Sequence, residues 1–262
     1  MSRDLFDLQK TACLSAVDLS RKGSIDSPIL DLVAFINHQT HYFTTSSCSG
    51  RIIVVDNDCD GSIRKQGCKW VLTSHDTITL QELKEKLHTI KGNAVFKFEP
   101  FVMHVQCRTL DDAQLMLSNA VGSGYRNSGI SVGNKGKFIT GIRSTHSMEV
   151  PLSCNGQLLV SDQYLEFIVG IANSKMEDNF EKINRFFKTL KTSLEDAASS
   201  NHKKKKSKEE KHLEKRKEKH VSNEKSASEK SVTVDVRDVT LDRNDSIEDL
   251  VQCAMFTCDL DT

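Results

Sequence analysis

The chain shows no excess of either charge: 36 Lys and Arg stand against 36 Asp and Glu, a formal net charge of +0 at neutral pH. A protein that binds nucleic acid over its whole surface usually carries a basic surplus, because each neutralised phosphate releases counterions. That class is therefore disfavoured for the chain as a whole, although a local patch of Arg and Lys balanced by acids elsewhere stays open. Long apolar runs are missing too. No stretch approaches the roughly 18 residues needed to span a bilayer, and the start Met1-Ser-Arg-Asp has no apolar signal segment. The eight cysteines (Cys13, Cys48, Cys59, Cys68, Cys107, Cys154, Cys253, Cys258) lack the close paired spacing of a zinc site or a disulfide framework. Reduced thiols, no bound metal, no membrane association and a cytoplasmic location are expected, with the nucleus left open by the lysine run 203–206. Aromatics are only 6% of the chain, few for a surface that binds single strands by stacking. No glycine-rich turn leads from a strand into a helix, which removes the Rossmann mark of nucleotide binding.

What is present is an alternation of periods. Leu5, Leu8, Cys13 and Val17 suggest a first amphipathic helix, and Ser27-Pro28 opens a second carrying Ile29, Leu32, Val33 and Ile36 on one face. Residues 42–46, 51–56 and 68–74 are rich in Val, Ile, Thr and aromatics and read as strands, broken by the turn at Asp58-Cys-Asp-Gly-Ser. Thr79-Leu-Gln-Glu82 has capping-box spacing ahead of Leu83 and Leu87. Residues 94–98 and 102–107 return to strand character around Pro100, and Thr109-Leu-Asp-Asp112 opens a helix that Gly122 and Gly124 close. Gly133-Asn-Lys-Gly136 lies between residues 130–132 and 138–142 as a hairpin signal, with further strand character at 148–152 and 158–160. From Asp162 to Ala198 apolar residues recur every three or four positions, which predicts one long amphipathic helix or two hinged near Gly170.

This pattern predicts an α+β fold with a mixed, largely antiparallel sheet, packed helices and no Rossmann topology, occupying residues 1–198. Residues 199–262 form a charged tail, basic over 203–219 and acidic over 235–261. It holds too few large apolar residues to offset the entropy of ordering, and so is expected to be disordered or transiently helical.

Three polar constellations could carry chemistry. Thr44-Thr-Ser-Ser-Cys-Ser-Gly-Arg51 joins two strands through small residues that let backbone amides approach a ligand, and ends on an Arg able to fork onto a carboxylate or phosphate. Gly122-Ser-Gly-Tyr-Arg-Asn-Ser-Gly129 links a helix to a strand. Either could equally be an ordinary polar turn. In the strand 102–107, period two places Val102, His104, Gln106 and Arg108 on one face, which fits a lined cleft or a solvated sheet face.

Together these residues resemble a known family. Ser46-Ser-Cys-Ser-Gly-Arg51, Lys97-Phe-Glu-Pro-Phe101 with His104-Val and Cys107-Arg108, Arg126-Asn-Ser-Gly-Ile130, and Arg143-Ser-Thr-His146 with Val150-Pro-Leu152 are similar, in order, to the signature blocks of the tRNA wybutosine-synthesising N-4 methyltransferases. The early block Asp18-Leu-Ser-Arg-Lys-Gly-Ser24 matches the eukaryotic branch. The resemblance covers the chain to about Leu194 and implies an enzyme that transfers a methyl group from S-adenosylmethionine to 7-aminocarboxypropyl-demethylwyosine, next to the anticodon of phenylalanine tRNA. It implies phenylalanine tRNA as partner, with other enzymes of the wybutosine pathway as further candidates. On that reading Ser47, Ser49, Gly50, Arg51, Arg126, Asn127, Ser128 and Gly129 line the donor or substrate pocket, and Arg108 and Arg143 hold a phosphate or carboxylate. His104 orients the base or takes a proton, with His75 and His146 as competitors.

Two other readings compete. A non-catalytic RNA-binding or scaffold protein would suit the lysine run, and a cysteine-nucleophile enzyme would use Cys48 or Cys107, provided a neighbouring cation or helix terminus lowers the thiol pKa.

Overall fold

A computed structural model of the chain describes residues 4–16, 23–57, 69–133 and 136–223. The turn at 58–62, most of the block at 18–24, the hairpin tip Asn134-Lys135, the acidic stretch 235–261 and Cys59, Cys68, Cys253 and Cys258 lie outside the described residues.

Helix α1 (Leu5–Ser15) starts where the Asp4 carboxylate caps the Phe6 amide, and α2 (Leu30–His38) follows a single 3-10 turn holding Pro28. Strands β1 (Tyr42–Cys48), β2 (Arg51–Asn57) and β3 (Lys69–Ser74) come next. Helix α3 (Leu80–Leu87) has the capping box its spacing predicts: the Thr79 hydroxyl accepts from the Glu82 amide, and the Glu82 carboxylate accepts from the Thr79 amide at 2.6 Å. Strands β4 (Asn93–Glu99) and β5 (Val102–Cys107) flank Pro100, and α4 (Leu110–Gly122) opens with the same reciprocal cap between Thr109 and Asp112. There follow β6 (Gly129–Val132), β7 (Phe138–Arg143) and β8 (Met148–Pro151). A two-stranded hairpin, β9 (Ser153–Cys154) with β10 (Gln157–Leu158), turns on Asn155 and Gly156, both at positive φ, as a tight hairpin turn requires.

The strands assemble into two four-stranded sheets ordered β1-β5-β7-β6 and β3-β2-β4-β8, and every pairing in them is antiparallel. The expected α+β class is thus what the chain adopts, with no parallel, doubly wound arrangement among the described residues. Ile52, Val54, Phe96 and Phe98 of the second sheet pack with Leu83 of α3 and with Leu165, Ile168, Ala172 and Met176 of the last helix, α5 (Asp162–Asn223). At 0–2% exposure these side chains form a dry core; burying each of the larger ones contributes about 1.5–3 kcal/mol.

Helix α5 runs through Gly170 without a hinge. One Gly costs a helix only about 1 kcal/mol, and Leu165, Ile168, Val169 and Ala172 are buried on both sides of it. The chain divides after Leu190; the described residues up to that point belong to one compact unit, and residues 191–223 belong to a second. Within the second unit the helix continues to Asn223, so the start of the charged tail is helical, in keeping with the helix propensity of its Lys and Glu. No helix among the described residues is long and apolar enough to cross a membrane.

Candidate functional site

The first sheet sets His104 between two neighbours: on β5 it lies opposite Ser46 of β1 and opposite Gly141 of β7. Its Nδ1 is 2.9 Å from the Ser46 Oγ, and its Nε2 is 3.1 Å from an Arg143 terminal nitrogen. A guanidinium can only donate, so Nε2 must be the unprotonated nitrogen and Nδ1–H donates to Ser46. Burial, and secondarily the Arg143 charge, hold the His104 pKa below its usual 6.5. The imidazole is therefore neutral at physiological pH, with one tautomer fixed. Gly141 makes room for the ring, since a Cβ there would stand 3.3 Å from its Cδ2.

Around this pair opens a cleft of about 610 Å³, within the range of small-molecule sites. Ser46, Ser47 and Cys48 form one wall and Asn127, Ser128 and Gly129 another, while Phe101, Val102, Ile130 and Ile139 supply apolar surface. At its edge the Arg51 Nε donates to Glu99 at 2.5 Å, and the guanidinium lies 4.8 Å from the Trp70 ring centroid. Cleft, charged pair and histidine thus come from β1, β2, β4, β5, β7 and the α4–β6 link.

Seven sequence-expected residues converge here: Ser47, Arg51, His104, Asn127, Ser128, Gly129 and Arg143. Four do not. Arg108 is covered by α1, paired with Asp4 at 2.5 Å and with Asp7, and stacked 4.5 Å from the Phe6 ring centroid. Its assignment to a phosphate or carboxylate is corrected to a structural ion pair, because α1 packs over that end of the β5 face, where Gln106 meets Gln9. Arg126 is exposed outside the lining, because its neighbour Tyr125 turns inward between Phe101 and Phe186. Ser49 and Gly50 sit behind the wall as support. The Ser49 amide donates to the buried Asp26 at 2.8 Å, and Gly50, at φ +99°, leaves no space for a Cβ, which would stand 2.8 Å from Asn179 Nδ2.

Of the competing histidines, His75 donates from Nδ1 to the Gly50 carbonyl at 3.0 Å, and His146 contacts Ser144 and Lys182. Neither lines the cleft. Cys107 lies on the buried side of β5 with its thiol pushed up to about 12 by burial, which removes it as a nucleophile. Asp26, Cys48 and His75 bring donor atoms within 4.8 Å of one another. Asp26 already accepts from Ser49 and faces His75 at 3.4 Å, so the group serves as hydrogen-bonded support for the corner at Ser49.

Sequence reasoning missed Ser46 and Glu99. A bulge between Thr44 and Ser46 interrupts the alternation of β1 and turns Ser46 toward His104. It also missed Asn179, fully buried on α5, whose amide donates to the Ser49 carbonyl at 2.7 Å and accepts from the Phe101 amide at 2.8 Å. Asn179 thereby ties the β1–β2 corner to the β4–β5 corner on either side of the cleft.

Residues 6–192 match the family model described as methyltransferase TYW3. The chain is 50% identical over 197 residues to the tRNA wybutosine-synthesizing protein 3 homolog of Danio rerio, covering 74% of this chain and 78% of that protein. It is 47% identical over 193 residues to the Homo sapiens protein of the same name, covering 73% and 74%. In Arabidopsis thaliana a protein named tRNA wybutosine-synthesizing protein 2/3/4 is 36% identical over 202 residues, 69% of this chain but 20% of that one. Among solved structures, the PH1069 protein of Pyrococcus horikoshii aligns at TM-score 0.65 and 37% identity, over 71% of this chain and 95% of that one.

Proposed function

The chain belongs to the TYW3 methyltransferase family and is a tRNA methyltransferase of wybutosine biosynthesis; from that premise we propose that its methyl donor is S-adenosylmethionine and its acceptor the N-4 position of 7-aminocarboxypropyl-demethylwyosine in phenylalanine tRNA. The observation that carries this reading is the convergence of seven expected residues from separate elements on one cleft around a neutral histidine.

The donor set fits. S-adenosylmethionine and the aminocarboxypropyl arm of the acceptor base each bear an α-ammonium next to a carboxylate. Arg51 and Glu99, side by side at the cleft, offer the complementary pair: a guanidinium for the carboxylate and a carboxylate for the ammonium. Phe101, Val102, Ile130 and Ile139 suit the flat faces of a base and exclude water from the reacting atoms. The donor supplies an already electrophilic methyl group on a sulfonium. What the protein contributes is alignment and a place for any proton displaced from the acceptor nitrogen. His104 Nε2 is the unprotonated nitrogen, accepting from Arg143 in this structure, and takes that proton once the acceptor displaces the Arg143 contact, while Ser46 holds Nδ1–H and so fixes which nitrogen faces the cleft.

Residues 1–198 constitute the methyltransferase domain, acting in the cytoplasm. The Arabidopsis relative, of which the matched part is a fifth, supports association with other enzymes of the pathway. The test is incubation of the full chain, and separately of residues 1–198, with labelled S-adenosylmethionine and tRNA from cells stalled at the demethyl intermediate. Nucleoside mass spectrometry should then show one added methyl group in both cases, at rates within about threefold, since the described residues that line the cleft all lie between Thr45 and Ser144. A full chain that binds the tRNA without methylating it would make the protein an RNA-binding scaffold instead. A folded but inactive 1–198 chain would place part of the machinery beyond Ala198.

A further inference from the structure

One face of α5 gathers cations next to the cleft. The Lys182 Nζ lies 3.1 Å from His146 Nδ1 and 3.2 Å from its Nε2, and the Lys175 Nζ donates to the His146 carbonyl at 3.3 Å. One turn beyond Lys182, Arg185 is exposed and donates from Nε to the Ser123 carbonyl at the end of α4. No ion pair among the described residues joins Lys175, Lys182 or Arg185 to a carboxylate. The cluster feels its own repulsion. Burial first, and then the neighbouring cations Arg185 and Lys175, press the Lys182 pKa below its usual value, with Asp178 the carboxylate acting against them. His146 is depressed in the same way, by burial and then by Lys182 and Lys175.

Three cations held together with Asp178 as the opposing carboxylate raise the free energy of the empty protein, and a further anion placed among them relieves it. The patch is continuous with the cleft: Ser144, which lines the cleft, lies 2.5 Å from His146 Nδ1, and Arg143, beside it in sequence, reaches His104. A neutral His146 can accept from Lys182 in the absence of ligand, which leaves the ammonium available to exchange that contact for a stronger, charge-assisted one.

We propose that Lys175, Lys182 and Arg185 of α5 form a docking track for the phosphodiester backbone of the RNA whose base enters the cleft. The proposal rests on the tRNA methyltransferase reading and adds to it the place where the nucleotides flanking the target are held. Phosphate contacts of this kind position a substrate without reading its sequence. Their loss should therefore weaken RNA binding and leave the chemical step alone. The neutral total charge of the chain is no obstacle, because the track is local.

The experiment uses the full chain, substrate tRNA in a fluorescence anisotropy titration over a series of salt concentrations, and steady-state methylation. The double substitution Lys175→Ala with Lys182→Ala should raise the Kd and KM for tRNA about 10- to 30-fold, with kcat within about twofold. It should also flatten the slope of log K against log salt by roughly 1.5, from 0.7–0.9 per lost phosphate contact. Asp178→Asn, which removes the opposing carboxylate, should move binding the other way, tightening it about two- to threefold. An unchanged KM and salt slope in a folded double variant would overturn the track, as would a fall in kcat with KM unchanged. A wild-type chain that shows the salt slope but no methyl transfer would leave the track standing and defeat the catalytic reading, so the two failures are distinguishable.

Discussion

Replacing His104 by Ala should lower kcat for methyl transfer by about 10²- to 10⁴-fold, the range associated with losing a positioned general base, while the Kd for tRNA stays within about threefold. The side chain lies at the centre of the first sheet, with Ser46 on one nitrogen and Arg143 on the other, and the three strands it links are paired through their backbones as well. Its loss therefore removes chemistry rather than fold. The pH dependence follows from the direction of its shift. Because burial and Arg143 depress the His104 pKa below 6.5, the base form persists as pH falls past 6.5, and the rate should decline only at lower pH. Above that limb the histidine contributes no further pH dependence. Arg143→Ala removes one of the two depressing causes, so the acid limb should move up toward 6.5. In a wild-type pH profile, an acid limb centred above 6.5 would contradict the assignment.

The second large effect is on stability. Asn179→Ala should destabilise the protein by about 2–4 kcal/mol, in the range for leaving buried polar groups without partners. The side chain is fully buried, and its removal strands the Ser49 carbonyl and the Phe101 amide together. In a body of this size that corresponds to a fall in Tm of roughly 5–15 °C. Activity at low temperature should fall as well, because the two backbone corners so joined carry Cys48 and Arg51 on one side and Glu99 and Phe101 on the other, all of which line the cleft. A thermal melt of Asn179→Ala coincident with wild type would show that the clamp contributes nothing.

The contrast between these two residues shows how far the sequence could be read. Local signals were legible because their physics is local: Thr79 and Thr109 announce capping boxes three residues ahead of their partners, and a glycine-flanked turn announces the pairing of β6 with β7. His104 was legible because strand period two gives it a face. Arg108 shares that face, yet α1 returns from about a hundred residues away in sequence to cover it, and no local pattern encodes that return. Ser46 was hidden by a bulge that shifts the alternation by one residue. Asn179 was hidden because a polar residue on a helix normally faces solvent, and only the approach of Gly50 to α5 turns it into a clamp. Family resemblance supplied what periodicity could not, namely which polar turns belong together.

The measurement that bears most directly on the account is a crystal structure of the full chain with S-adenosylhomocysteine. Density for it is expected in the cleft between Arg51 and His104, with its amino-acid end against the Arg51–Glu99 pair. Density elsewhere, for example in the smaller hollow of about 310 Å³ lined by Lys84, His88 and Leu158, with the cleft empty, would contradict it.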